Sequence, residues 1–231
     1  MLDDANPTKA KPMMAFDIEQ ARYNMVEQQI RTWEVLDERV LELLFQVRRE
    51  EFVPREYRAL AFVDVEIPLS SNARMWTPKM EARVLQELAL KPTDHVLEIG
   101  TGSGYFTALL ASQAADVESI EIDRQLADDA RAKLARHEFH NVSVVEGDGA
   151  RGYGNNMYDA IVLTGSTPLL PERFFAQLKP EGRLFAVVGE APVMEARLVR
   201  QTAPGSRVSF DLFETVVAPL INAATPARFQ F

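Results

Sequence analysis

The stretch Val96-Leu97-Glu98-Ile99-Gly100-Thr101-Gly102-Ser103-Gly104-Tyr105 constrains the fold of this chain more than any other. An apolar strand pattern runs into Gly-x-Gly-x-Gly and restarts as a helical pattern. Glycines there permit a tight turn and let the backbone approach a ligand at the carboxyl end of a parallel strand. Downstream the pattern alternates, with strands predicted at 95–99, 117–122, 142–145, 158–164 and 183–188 and helices at 104–115, 125–137 and 172–178. Strands alternating with helices imply a mostly parallel, doubly wound sheet covered on both faces. The last part, through Leu198 and Phe213 to Val217, reads as a further hairpin closing one edge.

Upstream the signals are helical. Residues 1–16 lack periodicity and are expected to fray. Asp17 can cap a helix, with Gln20 completing a capping box, and Ile18, Ala21, Met25, Gln29, Ile30 and Trp33 form its stripe. A second helix is expected from Asp37, with Val40, Leu41, Leu44 and Val47 on one side, ending before Pro54. Thr77-Pro78 is a hydroxyl cap followed by proline at the first helical position, and Met80, Val84, Leu85 and Leu88 supply that helix's buried face. The expected organisation is a disordered 1–16, a helical flank and substrate-side loop over 17–76, and a ligand-binding α/β domain over 77–231.

With 231 residues the chain holds one sizeable core plus an appendage. Its 25 basic against 34 acidic side chains give a net charge of −9, which argues against a nucleic-acid partner. The absence of cysteine excludes disulfides, thiolate metal sites and a cysteine nucleophile. The acidic start carries no signal peptide and no apolar run nears the roughly 20 residues of a membrane span, so a soluble, cytoplasmic protein is expected.

The layout at Gly100, Thr101, Gly102, Ser103 and Gly104 serves two cofactor classes. Glu121, closing the next strand about 20 residues on, can accept hydrogen bonds from ribose hydroxyls in either. The dinucleotide fingerprint places its third glycine where this chain has Tyr105. Glu98, just before the loop, would repel a pyrophosphate but suits the ammonium or sulfonium of S-adenosylmethionine. No Walker-type lysine follows the loop. S-adenosylmethionine is therefore favoured over NAD, and glycines that only pack helix against strand remain the bland alternative. Asp148 and Gly149 follow the third strand of the series and fall beside the first two loops, where Asp148 can accept the adenine amino group. An ordinary Gly/Asp turn is the alternative there. Ile122 can cover an adenine face, and Thr164 ends the fourth strand.

Other signals are weaker. His137 and His140 stand three apart near a helix end, with no cysteine or set of carboxylates at ligand spacing, so no metal is expected. Ser70 and Ser71 lack a nucleophile elbow, and Ser103 lies in GTGSG rather than G-x-S-x-G.

LEIGTGSGY, SIEID, NVSVVEGDG, YDAIVLTG and QLKPEGRL, with FVPREYRALAFVDVEIPL upstream and ETVVAPL near the end, together resemble the protein-L-isoaspartate (D-aspartate) O-methyltransferase family over residues 25–220. The resemblance implies the Rossmann-like fold of S-adenosylmethionine-dependent methyltransferases. It also implies methyl transfer from that cofactor to the carboxylate of an L-isoaspartyl residue in a protein or peptide, the first step of repair. One loop departs. The family carries Gly-Gln-Thr-Ile-Ser, one residue and a proline, where this chain reads Asn72-Ala73-Arg74-Met75-Trp76-Thr77-Pro78. If Pro78 is the shared proline, Trp76 stands in place of the family's serine and Thr77 offers a hydroxyl next door. Trp76 either walls the ligand pocket or anchors the helical flank. Arg74 can pair with a substrate carboxylate or stay solvated. Two alternatives follow from the departure: a related methyltransferase with a different substrate, and a non-catalytic S-adenosylmethionine-binding protein.

Overall fold

The computed structural model describes residues 17–226 apart from Pro204, and the expectation for residues 1–16 lies outside the described residues. The first helix, α1 (Ile18–Asn24), starts where Asp17 accepts the Gln20 N–H at 3.1 Å. It does not continue as one α-helix to Trp33. Wider π-type turns follow over Met25–Ile30 and a tight 3₁₀ turn over Arg31–Trp33. Met25 and Ile30 are buried as expected, but Ile18 is exposed and Gln29 turns its amide to the Phe62 carbonyl at 3.1 Å. Helix α2 (Glu38–Gln46) is capped by Asp37. A short antiparallel pair, β1 (Ile67–Pro68) and β2 (Arg74–Met75), holds the loop between them. Helix α3 (Pro78–Leu88) then buries Met80, Val84, Leu85 and Leu88.

The main sheet follows as β3 (His95–Ile99), α4 (Tyr105–Ala111), β4 (Asp116–Glu121), α5 (Arg124–Arg136), β5 (Val142–Glu146), β6 (Tyr158–Thr167), α6 (Glu172–Ala176), β7 (Leu178–Glu190), β8 (Val193–Ala203) and β9 (Ser206–Glu214). Helix α4 stops short of its expected end at 115, and Ser112 Oγ bonds back to the Ala108 carbonyl at 2.8 Å, offering the backbone an alternative to the next turn. Among the described residues the seven strands lie in the order β5-β4-β3-β6-β7-β8-β9. Strands β5, β4, β3, β6 and β7 pair parallel, while β8 and β9 add an antiparallel hairpin. The chain thus leaves β3 toward β4 and β5, then crosses back to β6 on the other side. That reversal opens a crevice at the carboxyl ends of β3 and β6, where doubly wound sheets bind ligands. No helix of the described residues is long and apolar enough to cross a membrane.

The helical flank is not separate from this sheet. Met25, Ile30, Leu41 and Phe52 belong to the same apolar cluster as Tyr105 and Val187. Buried arginines tie the layers together where apolar packing alone would leave carbonyls unpaired. Arg183 of β7 donates to the carbonyls of Leu88, Ala89 and Asp159 and to Asp94. Arg49, in a tight turn after α2, donates to the Ala61 carbonyl at 2.7 Å, the Trp76 carbonyl at 2.6 Å and Glu81 at 2.9 Å.

Side chains alternate along β3. Leu97 and Ile99 pack with Ile161 and Leu184 on one face. Glu98 points to the other, where its Oε2 accepts from Thr107 of α4 at 2.5 Å and Ser119 of β4 at 2.6 Å. It has no solvent exposure, and burial pushes its carboxyl up to about 8 despite those two hydroxyls. The folded chain therefore holds a proton on Glu98 that the unfolded chain releases at about 4.5. This contribution to stability is present below pH 4.5 and is lost as pH rises toward 8. Thermal unfolding across pH 5–9 should show a smaller loss of midpoint with rising pH in Glu98→Gln than in the unmodified chain. Equal slopes would reject a protonated Glu98.

Candidate active site

The crevice at the β3/β6 reversal is an open cavity enclosing about 1050 Å³, mouth included. Loop tips from four consecutive strands of the series meet there. After β3 come Gly100, Thr101, Gly102 and Ser103; at the end of β4, Glu121, followed by Ile122; after β5, Asp148 and Gly149; and within β6, Thr164. Gly100 is required by geometry. Its φ is +97°, and a Cβ there would fall 2.2 Å from Thr164 Oγ1. Thr164 holds the turn, donating to the carbonyls of Ile99 at 2.9 Å and Gly100 at 2.7 Å.

The acids of the cavity are fixed by backbone. Glu121 Oε2 accepts the Gly102 N–H at 2.8 Å and Oε1 accepts the Asp123 N–H at 3.0 Å, so its carboxylate is oriented across the glycine loop. Asp148 Oδ1 accepts the Ala150 N–H at 3.0 Å, and its Oδ2 accepts from Asn222 at 2.9 Å. Thr101 shares a 2.6 Å hydrogen bond with Ser119, which in turn reaches Glu98.

Three of the sequence candidates stand elsewhere. Glu98 does not line the cavity, because strand alternation turns it under the loop toward Thr107 and Ser119. Gly104 is also outside the lining: a Cβ there would fall 3.2 Å from Ala130 Cβ, so this glycine brings α4 against α5. Thr77 sits at the N-cap of α3 but makes no side-chain capping bond. Its carbonyl accepts the N–H groups of Met80 and Glu81, and its side chain is not part of the cavity wall.

Trp76 does line the cavity and is also packed into the core. Its ring centroid lies 5.3 Å from that of Phe106 in α4 and 5.9 Å from that of Phe185 in β7, with only 5% of the residue exposed. One ring thus lines the cavity and packs on α4 and β7, rather than on the helical flank that the anchor reading named. Arg74 lines the mouth and is exposed, with Glu66 near enough that its charge opposes the upward push of burial on that acid.

Several wall residues escaped sequence reading. Phe106, Glu81 and Leu126 come from helices, while Leu69 to Ala73, from the β1–β2 loop, fall in the substrate-side loop named from the sequence. The segment Ala218 to Ile221 closes another side. It follows the closing hairpin, which the sequence carries to Val217 but whose last strand, β9, ends at Glu214. The chain instead returns to β6, where Ser166 N–H donates to the Ala218 carbonyl at 3.0 Å and Leu220 N–H to the Ser166 carbonyl at 2.9 Å. Pro219 between them has no N–H to extend a ladder. His137 stacks on Phe52 with centroids 5.1 Å apart. Among the described residues no cluster of three His, Asp or Glu is placed to hold a metal.

Charge decides what the cavity accepts. Among the described residues Glu81, Glu121, Asp123 and Asp148 line it, against one basic side chain, Arg74. Such a wall disfavours a pyrophosphate and suits a ligand with ammonium and sulfonium groups. The family model for protein-L-isoaspartate (D-aspartate) O-methyltransferase matches residues 20–224. The protein-L-isoaspartate O-methyltransferase of Koribacter versatilis is 35% identical over 94% of this chain and 97% of its own. That of Methanoculleus marisnigri is 43% identical over 73% of this chain and 77% of its own. The structure of a Plasmodium falciparum beta-aspartate methyltransferase in complex with S-adenosyl-L-homocysteine shares the fold, with a TM-score of 0.76 at 19% identity over 87% of this chain and 98% of that one. By the extent of these matches the chain belongs to the protein-L-isoaspartate (D-aspartate) O-methyltransferase family.

Proposed function

We propose that the chain transfers the methyl group of S-adenosylmethionine to the free carboxylate of an L-isoaspartyl residue in a protein or peptide. The observation that carries this reading is the acid-lined cavity at the β3/β6 reversal, in a member of this family. When bound, S-adenosylmethionine supplies a methyl activated by its sulfonium. Gly100 to Ser103 are the residues to hold its methionine part, Glu121 its ribose, and Asp148 and Gly149 the adenine edge, with Ile122 over an adenine face. The Glu121 carboxylate, already oriented by two backbone N–H groups, keeps lone pairs for two ribose hydroxyls. Glu98 acts beneath the loop rather than on the ligand, fixing Ser119 and through it Thr101.

The acceptor end lies on the other side of β3, toward β7, where Trp76, Phe106 and Glu81 meet. An ionised carboxylate is already a nucleophile, so what the protein supplies is alignment and exclusion of water. The helical flank and the β1–β2 loop form the substrate side, and Trp76 walls the place where the methyl crosses. A cytoplasmic setting fits the cysteine-free sequence, and the net charge of −9 fits a protein rather than a nucleic-acid partner.

A second reading, methyl transfer to a different acceptor, is favoured by the buried indole of Trp76 where the family's loop carries a serine. Radiolabelled S-adenosylmethionine with an isoaspartyl peptide, then with cell lysate, separates the readings. Label on the peptide is the expected result. Label only on lysate components supports the second reading, and tight cofactor binding with no transfer to either rejects enzymatic methylation. For the cofactor half, Glu121→Ala should weaken S-adenosylmethionine binding by about 1–3 kcal/mol through the lost ribose hydrogen bonds. Unchanged affinity in calorimetry would remove Glu121 from the site.

A further inference from the structure

Glu81 is a buried carboxylate on the wall of the acceptor end, with 1% of the residue exposed. It sits in the first turn of α3, directly after Trp76 and Thr77. Its Oε2 accepts from Arg49 Nε at 2.9 Å, while its Oε1 accepts no hydrogen bond among the described residues. Arg49 is itself held in place, since its other two nitrogens donate to the carbonyls of Ala61 and Trp76 and its guanidinium lies 5.6 Å from the Tyr105 ring centroid. Glu81 is therefore aimed by a rigid partner, with one oxygen left over in the cavity that takes the acceptor.

The charged and titratable groups around Glu81 can be named. Arg49 faces it from the turn after α2, and Tyr105 from α4, its hydroxyl buried with no partner among the described residues and pushed upward by burial and then by Glu81. Behind Tyr105 lie Glu50 and Arg22, paired with each other. Around the cavity are Arg74, Glu121, Asp123 and Asp148. Among the described residues Arg49 is the one cation in contact with Glu81, and its remaining contacts are carbonyls and an aromatic face. Burial raises the Glu81 carboxyl to about 7 against the opposing pull of Arg49.

A carboxylate acceptor entering beside a buried carboxylate cannot leave both ionised. Two such groups in one site share a proton. We propose that Glu81 is the acceptor-orienting residue of this enzyme: it takes up a proton as the isoaspartyl carboxylate binds and donates it, as a hydrogen bond, to one carboxylate oxygen. The second oxygen is left free to attack the methyl. The acceptor carboxylate loses its charge when it becomes a methyl ester, and Glu81 then returns its proton to solvent, so no net proton is consumed. Trp76 offers no hydroxyl at this end of the cavity, and Glu81 supplies the donor instead. The inference rests on the isoaspartyl reading above.

The test is calorimetric titration of a synthetic L-isoaspartyl peptide into the protein saturated with S-adenosyl-L-homocysteine, at pH 6–9, in two buffers of different ionisation enthalpy. At pH 8 the unmodified chain should take up close to one proton per peptide. Its affinity should fall about tenfold per pH unit above 7. Glu81→Gln keeps an oxygen for Arg49 and should bind the peptide without proton uptake and with a flat pH profile. A peptide whose isoaspartyl carboxyl is a carboxamide should cause no uptake in either protein. Binding of the isoaspartyl peptide without uptake in the unmodified chain overturns the proposal while leaving the methyltransfer reading intact. Equal uptake in Glu81→Gln assigns the proton to another carboxylate and overturns it too. A peptide that neither binds nor is methylated at any pH sinks both.

Discussion

The reversal of chain direction at β3 is the constraint on which the site depends. Crossovers in parallel sheets are right-handed, so successive units wind helices onto one face while moving toward β5, and onto the other once the chain crosses to β6. At the reversal no crossover covers the strand ends, and four loop tips converge on one crevice. Every contact made there by Gly100, Glu121, Asp148 and Thr164 follows from that placement. The glycine turn is the most constrained point within it, because Thr164 Oγ1 occupies the space a side chain at residue 100 would need.

The crevice needs a roof, and buried charge holds the roof on. Arg49 alone joins the turn after α2, the Ala61 carbonyl, the Trp76 carbonyl and the Glu81 carboxylate, and it lies over the ring of Tyr105, the first residue of α4. Four segments far apart in sequence are thereby referred to one guanidinium, whose planar set of donors suits divergent carbonyls better than an ammonium would. Breaking such a node leaves partners buried and unpaired, which is more damaging than the loss of one surface ion pair. The cofactor loop and the acceptor wall are therefore mechanically continuous, because Tyr105 directly follows Gly104 and Trp76 packs on Phe106.

Local signals in the sequence were sufficient for the parallel sheet, the glycine loop and the acids that close β4 and follow β5. Each of these depends on residues within a few positions of one another. Glu98 shows where local reading stops. Its spacing from the glycines is that of a ligand contact, but which face of β3 meets the ligand is set by the strands on either side. Gly104 shows the same limit, since its role depends on Ala130 in the following helix. The wall formed by Glu81 and 218–221 depends on distant pairings, such as Arg49 with Glu81, 32 positions apart, and Ser166 with Val217, 51 positions apart. No periodicity encodes those.

A wall of four carboxylates and one arginine presents a difficulty as well as an answer. It favours a cationic cofactor but repels an anionic acceptor, and the reaction needs both in one place. The cofactor's sulfonium offsets part of that repulsion once it is bound. Transfer also destroys the two charges it brings together, sulfonium becoming thioether and carboxylate becoming ester. Apolar surroundings such as Trp76, Phe106 and Met75 therefore favour the crossing over the separated ions. What remains is the encounter of the acceptor with Glu81 itself, and a single shared proton removes it. A carboxylate held just on the edge of ionisation by burial and by Arg49 suits that task better than a fixed positive charge. It admits the anion, orients it through one oxygen, and exerts no attraction on the neutral ester that must leave.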